Sequence, residues 1–304
     1  MLVYVVYLDP LELQLKIKKP INICVKRRAA IGDVIMTTGV VRELKKLYGD
    51  SASITVATDH PSVYANNPHV SQIVPAASNT TEFDVTYNLD DAYEYNTGSN
   101  FIDCYFHRVF GHTDFDKSVE LFPSDADKEL VDSFIADIIN GPFVVFHMRN
   151  WHWQAKNISL DVWFDVLTRL FTERTDVTVV CVGSTSDHYV EHPLIIDVRQ
   201  RFTDQQLTYL MDKAACFVGI DSAPFWCAAA SKTHLVGLLT HLAPDCIMPD
   251  RTAKSTAITT KEDCAGCNEK QATPVRQIVC SKGNTPCTSN FDTEAITNAI
   301  LESL

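Results

Sequence analysis

The stretch INICVKRRAAIGDVIMTTGVVRELKKLYG, residues 21–49, constrains the fold more than any other segment. An apolar run over 21–28 passes through a short turn carrying Gly32 and Asp33 and leads directly into an amphipathic helix. That helix is predicted over 33–48, with Met36, Val40, Leu44 and Leu47 at helical spacing. A strand feeding a helix in this way belongs to an α/β sheet. Its C-terminal edge, where Gly32 and Asp33 sit, is where open sheets bind ligands. Asp33 also suits the helix-capping position, since a carboxylate there accepts an N–H of the first turn. Capping and chemistry can coexist in one residue.

The alternation continues along the chain. Strands are predicted at 52–58, around QIVP and over 84–90, with a helix over 100–111 closed by Gly111. The polar, Pro-bearing segment 112–125 changes character and leads into an acidic helix, so the domain boundary is placed near it. A second alternation then begins with strand 142–150, a helix starting at Ser159, the nearly all-apolar strand 177–183, and PLIIDV. Thr203 with Gln206 forms a capping-box signature. CFVGID, 216–221, enters a tight turn before an Ala-rich helix over 223–231 and a strand over 233–240. The expected architecture is α/β with two facing Rossmann-like domains and a cleft between them. The division is 1–120 (with an extra segment 1–20), a linker and helix 121–140, a second domain 141–290 with a Cys-bearing loop 261–290, and a C-terminal helix 291–304.

Composition excludes some classes. A formal net charge of −12 over 304 residues gives no support to a broad electrostatic footprint on nucleic acid or anionic membrane. No apolar run reaches the roughly 18–20 residues that a transmembrane helix needs. The opening MLVYVVYL lacks a basic flank and a cleavage site, and is read as an extra strand. Of ten cysteines, Cys24, Cys104, Cys181, Cys216, Cys227 and Cys246 stand singly, as small apolar residues do. With no export signal, the expected compartment is reducing and cytoplasmic. No G-x-G-x-x-G follows the first strand, which disfavours a nicotinamide-dependent dehydrogenase.

The segment IGDVIMTTGVVRELKKLYGDSASITVAT, followed by NNPHVSQIV, resembles the N-terminal signature of the lipopolysaccharide heptosyltransferases, glycosyltransferase family nine. FVGIDSAPFWCAAASKTHLVGLLT resembles the family's C-domain motif, a strand, D-[ST]-G-P-x-H, an Ala-rich helix and a strand. Between them KNISLDVWFDVL resembles the K-x-[WF]-[PS] segment. The blocks cover most of 21–245 in the right order and spacing. The resemblance implies a GT-B type fold with the acceptor on the N-domain and a nucleotide sugar on the C-domain. It also implies transfer with inversion, no required cofactor or metal, and an ADP-sugar as the favoured donor. A glycan or lipid-linked glycan is the implied acceptor.

By this resemblance Asp33 is the general base on the acceptor hydroxyl, with Gly32 and Thr37 on the acceptor side. A sugar hydroxyl becomes an effective nucleophile when a placed carboxylate takes its proton in the transition state. Asp221 and Ser222 contact the donor, and Ala223 opens a helix whose N–H groups favour anions. Lys156 is the point charge on the diphosphate and Arg149 a second candidate. The run GSTSD after strand 177–182 brings Ser184 in as a small-polar phosphate or nucleoside loop. The motif's usual Gly is Ala223 here and its usual His is Trp226, which can stack on a ring or narrow the pocket. The cluster NWHWQAK, 150–156, suits stacking on a sugar face and equally a packed hinge.

Cys264, Cys267, Cys280 and Cys287 can be drawn as a four-thiolate zinc site, as disulfides, or as plain thiols. Two other functions stay open. One is transfer to modified DNA bases, with Lys16, Lys18, Lys19, Lys26, Arg27, Arg28, Lys45 and Lys46 as the basic cluster. The other is a nucleotide-sugar binding protein without turnover, drawn from Ala223 and Trp226.

Overall fold

The computed structural model describes residues 20–96, 98–270 and 279–304. The strand expected in MLVYVVYL lies outside them. The first half is built on strands β1 (Ile21–Lys26), β2 (Ala52–Ala57), β3 (Gln72–Val74) and β4 (Val85–Asn88), all parallel, in the order β3-β2-β1-β4. Its helices are α1 (Ile31–Met36), α2 (Thr38–Tyr48) and α3 (Phe101–Phe110). Helix α4 (Asp125–Ile138), capped by Ser124, then leads to the second half.

That half holds β5 (Phe143–His147), β6 (Thr178–Cys181), β7 (Ile195–Asp197), β8 (Cys216–Gly219), β9 (His234–Leu239) and β10 (Ser255–Thr259). They pair in parallel in the order β10-β9-β8-β5-β6-β7. Helices α5 (Leu160–Glu173), α6 (Asp204–Lys213), α7 (Ala223–Ala229), α8 (Pro244–Ile247) and α9 (Thr293–Leu301) connect or cover them. Every residue of β5, β6, β8 and β9 is buried, as a sheet covered on both faces requires. Trp163 on α5 packs on Phe146 of β5 with ring centroids 5.5 Å apart, and α9 lies against α5, β9 and β10.

Each sheet reverses its strand order once, between β1 and β4 in the first half and between β5 and β8 in the second. Ligand crevices in such sheets open at these switch points. The halves meet where α1 packs on α7. The Gln205 amide of α6 donates to the carbonyls of Ser62 and Val63 at 2.9 and 3.1 Å, and the Ser62 hydroxyl donates to Asp204 at 2.7 Å.

Besides the short helix α8, which was not expected, two elements differ from expectation. The single helix expected over 33–48 is two, α1 and α2, meeting at Thr37. Thr37 keeps near-helical dihedrals (φ −87°, ψ −5°), so the apolar periodicity runs on across the break. Strand β10 had no counterpart in the sequence reading, because STAIT lies at the sheet edge with only Ile258 buried.

Candidate functional site

A cavity of about 820 Å³ lies between the two halves, with both switch points on its wall. From the first half, the start of α1, after β1, supplies Gly32 and Asp33, and the turn after β4 supplies Tyr93 and Glu94. Helix α1 begins at Ile31, so Asp33 is its third residue and Ala30 the flanking residue. The carboxylate therefore does not occupy the capping position itself. It reaches back so that its Oδ2 accepts the Ala30 N–H at 2.8 Å, the N3 half of a capping box. The same Oδ2 lies 2.9 Å from the Arg27 guanidinium, while the Tyr93 hydroxyl donates to Oδ1 at 2.7 Å.

Arg27 is 1% exposed and also binds Glu94 at 2.8 Å and the Leu89 carbonyl at 3.1 Å. Burial pulls its basicity down, but Tyr105, Asp33 and Glu94 more than offset this, so it stays charged. Burial and then Asp33 push the Tyr93 phenol well above its ordinary value, so Tyr93 remains a donor. Asp33 thus has both lone pairs of Oδ2 engaged and one of Oδ1, leaving one Oδ1 lone pair for a proton.

The second half contributes the end of β5, the loop after β6 and the start of α7. Lys156, in a 3-10 turn, ion-pairs with Asp221, whose Oδ1 accepts the Trp226 indole N–H at 3.1 Å. Burial raises the Asp221 carboxyl, yet Lys156, Arg149 and Trp226 together hold it below the usual carboxylate range. Arg149 donates to the Asp221 carbonyl at 2.9 Å and stacks on Trp151. Ser222 flanks α7, its Oγ accepting the Phe225 N–H at 3.3 Å. Ser184 and Ala223 also line the cavity.

Trp226 is 1% exposed and fills the joint between the halves rather than offering a ring face. A Cβ on Gly32 would come 2.8 Å from its Cδ1 and 3.6 Å from the Ser222 carbonyl, so only glycine lets α1 approach α7 this closely. Thr37 lies outside the cavity. Its hydroxyl is engaged by the Val34 carbonyl and Tyr64, at 2.7 and 2.8 Å, which turns it from the acceptor side.

The sequence reading missed Arg27 as a partner of Asp33, missed Tyr93 and His147, and held Asp187 only as the end of the GSTSD loop. His147 ends β5, where its Nδ1 meets Ser222 Oγ at 2.9 Å and its Nε2 meets Asp187 Oδ2 at 3.1 Å. A polar residue closing the apolar run PFVVFH was the available signal.

The four cysteines lie apart from this cavity. Burial, and then the nearness of Cys264, Cys267 and Cys280, push the Cys287 thiol up to about 12. Among the described residues no disulfide joins any of the ten cysteines. Ligand atoms of Glu262, Asp263 and Cys264 lie within 4.8 Å of one another, but both carboxylates are paired with Lys282.

The architecture is of the GT-B type. A glycosyl transferase of family nine from Veillonella parvula shares it with a TM-score of 0.72 at 14% identity, over 94% of this chain and 97% of that one. The Escherichia coli ADP-heptose lipopolysaccharide heptosyltransferase II gives 0.67 at 15%, over 93% and 98%. The dodecameric iron-containing heptosyltransferase TibC, also from E. coli and solved with ADP-D-β-D-heptose, gives 0.72 at 15%, over 95% and 78%. No protein-family model matches the chain, and no curated protein matches it in sequence. Among the described residues no helix is long and apolar enough to cross a membrane.

Proposed function

We propose that the chain is an inverting, metal-independent glycosyltransferase that moves a sugar from a nucleotide-diphosphate sugar to an acceptor hydroxyl. The observation that carries this reading is one cavity with Asp33 on one wall and Lys156, Arg149 and Ser222 on the other. The acceptor oxygen attacks the anomeric carbon as the bond to the diphosphate breaks on the opposite face, and a single displacement inverts the centre. Asp33 Oδ1 takes the acceptor proton, while Lys156 and Arg149 offset the charge that develops on the leaving diphosphate. Val182, Val198, Phe202 and Leu207 form an apolar part of the wall that suits a nucleobase.

An ADP-sugar is the first donor to try, since TibC, with the same fold, was solved with ADP-heptose. The acceptor is a glycan or a lipid-linked glycan, and the reaction belongs in the cytoplasm, where nucleotide sugars are available. In a thermal-shift screen of ADP-, UDP-, GDP- and CMP-sugars, one nucleotide class is expected to raise the melting temperature by several degrees at about 100 times its Kd. Stabilisation by none would remove the transferase reading.

A DNA-base acceptor is less well supported. Arg27, in the basic cluster, is buried against Asp33 and Glu94, while Lys45 and Lys46 pair with Asp50 and Glu43. Lys16, Lys18 and Lys19 lie outside the described residues. A binding protein without turnover is separated by the Asp33 variant described in the Discussion.

Cys264, Cys267 and Cys280 act electrostatically on the Cys287 thiol, which supports a four-thiolate site for a soft cation such as zinc or iron; among the described residues the four sulfurs do not form a group within 4.8 Å, so binding the cation would draw them together. Its role here is to tie the loop to the body, remote from the reaction. Protein purified without chelator is expected to carry about one metal per chain, and Cys287→Ser to lose most of it. Full metal occupancy in that variant would exclude this site.

A further inference from the structure

His147 sits at the switch point of the second sheet, 3% exposed, bridging Ser222 and Asp187. Its place is specifically shaped. A Cβ on Gly183, where φ is +124°, would fall 2.7 Å from the imidazole Cδ2, and one on Gly219 would fall 3.2 Å from the His147 Cβ. All members of the Ser222–His147–Asp187 chain line the cavity.

The hydrogen-bond count fixes who donates. Asp187 accepts the Asn150 N–H at 2.8 Å and the Ser184 N–H at 2.6 Å in addition to His147. Burial raises its carboxyl, but His147 and these two N–H groups hold it well below the usual range, so it is a carboxylate. His147 Nε2 therefore carries a proton. Burial, with Arg149 adding to it and Asp187 opposing, lowers the His147 basicity, so the ring is neutral near pH 7 and Nδ1 is an acceptor. The Ser222 proton is then committed to Nδ1, and Ser222 turns only lone pairs toward the cavity.

A diphosphate oxygen cannot accept from a hydroxyl in that state. If His147 takes a second proton, Nδ1–H donates to Ser222 Oγ and the Ser222 O–H rotates toward the cavity. Both lone pairs and the proton of Ser222, and both protons of the imidazolium, are then satisfied: Ser222 accepts from His147 and Phe225 and donates to the phosphate.

We propose that His147, held by Asp187, is a proton-uptake switch: a diphosphate binds at Ser222 together with one proton from solvent, which lodges on His147 Nδ1. This rests on the nucleotide-sugar reading above. His147 and Asp187 are positioning residues, acting on the ligand through Ser222. The charged groups facing the ring are Asp187 from the β6–β7 loop, Arg149 from its own strand end, and the Lys156–Asp221 pair beside Ser222. Arg149 disfavours the imidazolium; Asp187 and the incoming phosphate charges favour it. The sign follows from linkage. Between the His147 pKa of the unliganded protein and the raised value in the complex, affinity falls as pH rises, by up to about tenfold per unit. Above the raised value it levels off.

The test is isothermal titration of the whole protein with ADP-glucose, then UDP- and GDP-glucose, in buffers of different ionisation enthalpy over about pH 5.5–8. These donors are diphosphate diesters and do not titrate in that range, so any proton count belongs to the protein. Wild type is expected to take up about one proton per ligand at the most favourable pH. Ser222→Ala and His147→Gln are expected to bind more weakly, with little uptake and a flat pH dependence, while Ser222→Thr keeps the uptake. Asp187→Asn is expected to shift the uptake to lower pH. Should His147→Gln fail to fold, the wild-type and Ser222 measurements decide. Binding with no proton uptake in wild type overturns the switch and leaves the donor reading standing. Binding of no donor overturns both.

Discussion

Asp33→Asn is expected to slow sugar transfer by roughly 10²–10⁴-fold while donor affinity is largely kept. The proposed donor contacts all come from the second half of the molecule, whereas Asp33 stands on the opposite wall with one Oδ1 lone pair uncommitted. An amide at position 33 can still accept from Tyr93 or from the Ala30 N–H, so α1 keeps a start, but it cannot take up a proton. The measurement is release of nucleoside diphosphate, with and without glycan acceptor, from whichever donor stabilises the protein. Turnover at the wild-type rate would assign Asp33 to helix capping alone, and the catalytic reading of this wall would be lost. Unchanged donor affinity with no turnover in wild type as well would favour a binding protein.

The second large effect concerns stability. Arg27→Met is expected to destabilise the fold by about 3–5 kcal/mol, the usual cost of removing one partner from a buried charge network. Glu94 is 3% exposed and the Asp33 side chain only 16%, so losing the guanidinium leaves two carboxylates facing each other beside Tyr93 and Tyr105. Adding Glu94→Gln to the same chain removes one of those charges and is expected to recover part of the loss. Urea denaturation of the single and double variants measures both. A change within about 0.5 kcal/mol for Arg27→Met, the range of ordinary surface substitutions, would show the network to be dispensable.

Much of the fold was legible because it is local. Apolar runs such as VTVVCVG announce buried parallel strands, and the signals at Ser159, Thr203 with Gln206, and Gly111 lie within a few residues of the helix ends they set. Strand β10 escaped because an edge strand needs few apolar residues. Asp33, Lys156, Asp221 and Ser222 were found through a resemblance and then met at one cavity. Their partners were not found, for a physical reason. Arg27 and Glu94 are 67 residues apart, and His147 and Ser222 are 75. In sequence Arg27 looks like one more surface cation and His147 like the polar end of a strand. Only the fold of both sheets brings them to their partners. Thr37 shows the converse, since a hydroxyl near the motif points into the core once α1 and α2 are drawn.

The contact between Gly32 and Trp226 ties geometry to timing. The residue next to Asp33 rests against the indole that holds Asp221, so the proposed base and the proposed donor site share one joint. Under the proposed function, any motion that parted the halves to admit a bulky sugar nucleotide would also draw the carboxylate away from the anomeric centre. A donor bound in an opened molecule would then be shielded from premature attack, and the reactive arrangement would form only on closure of the joint.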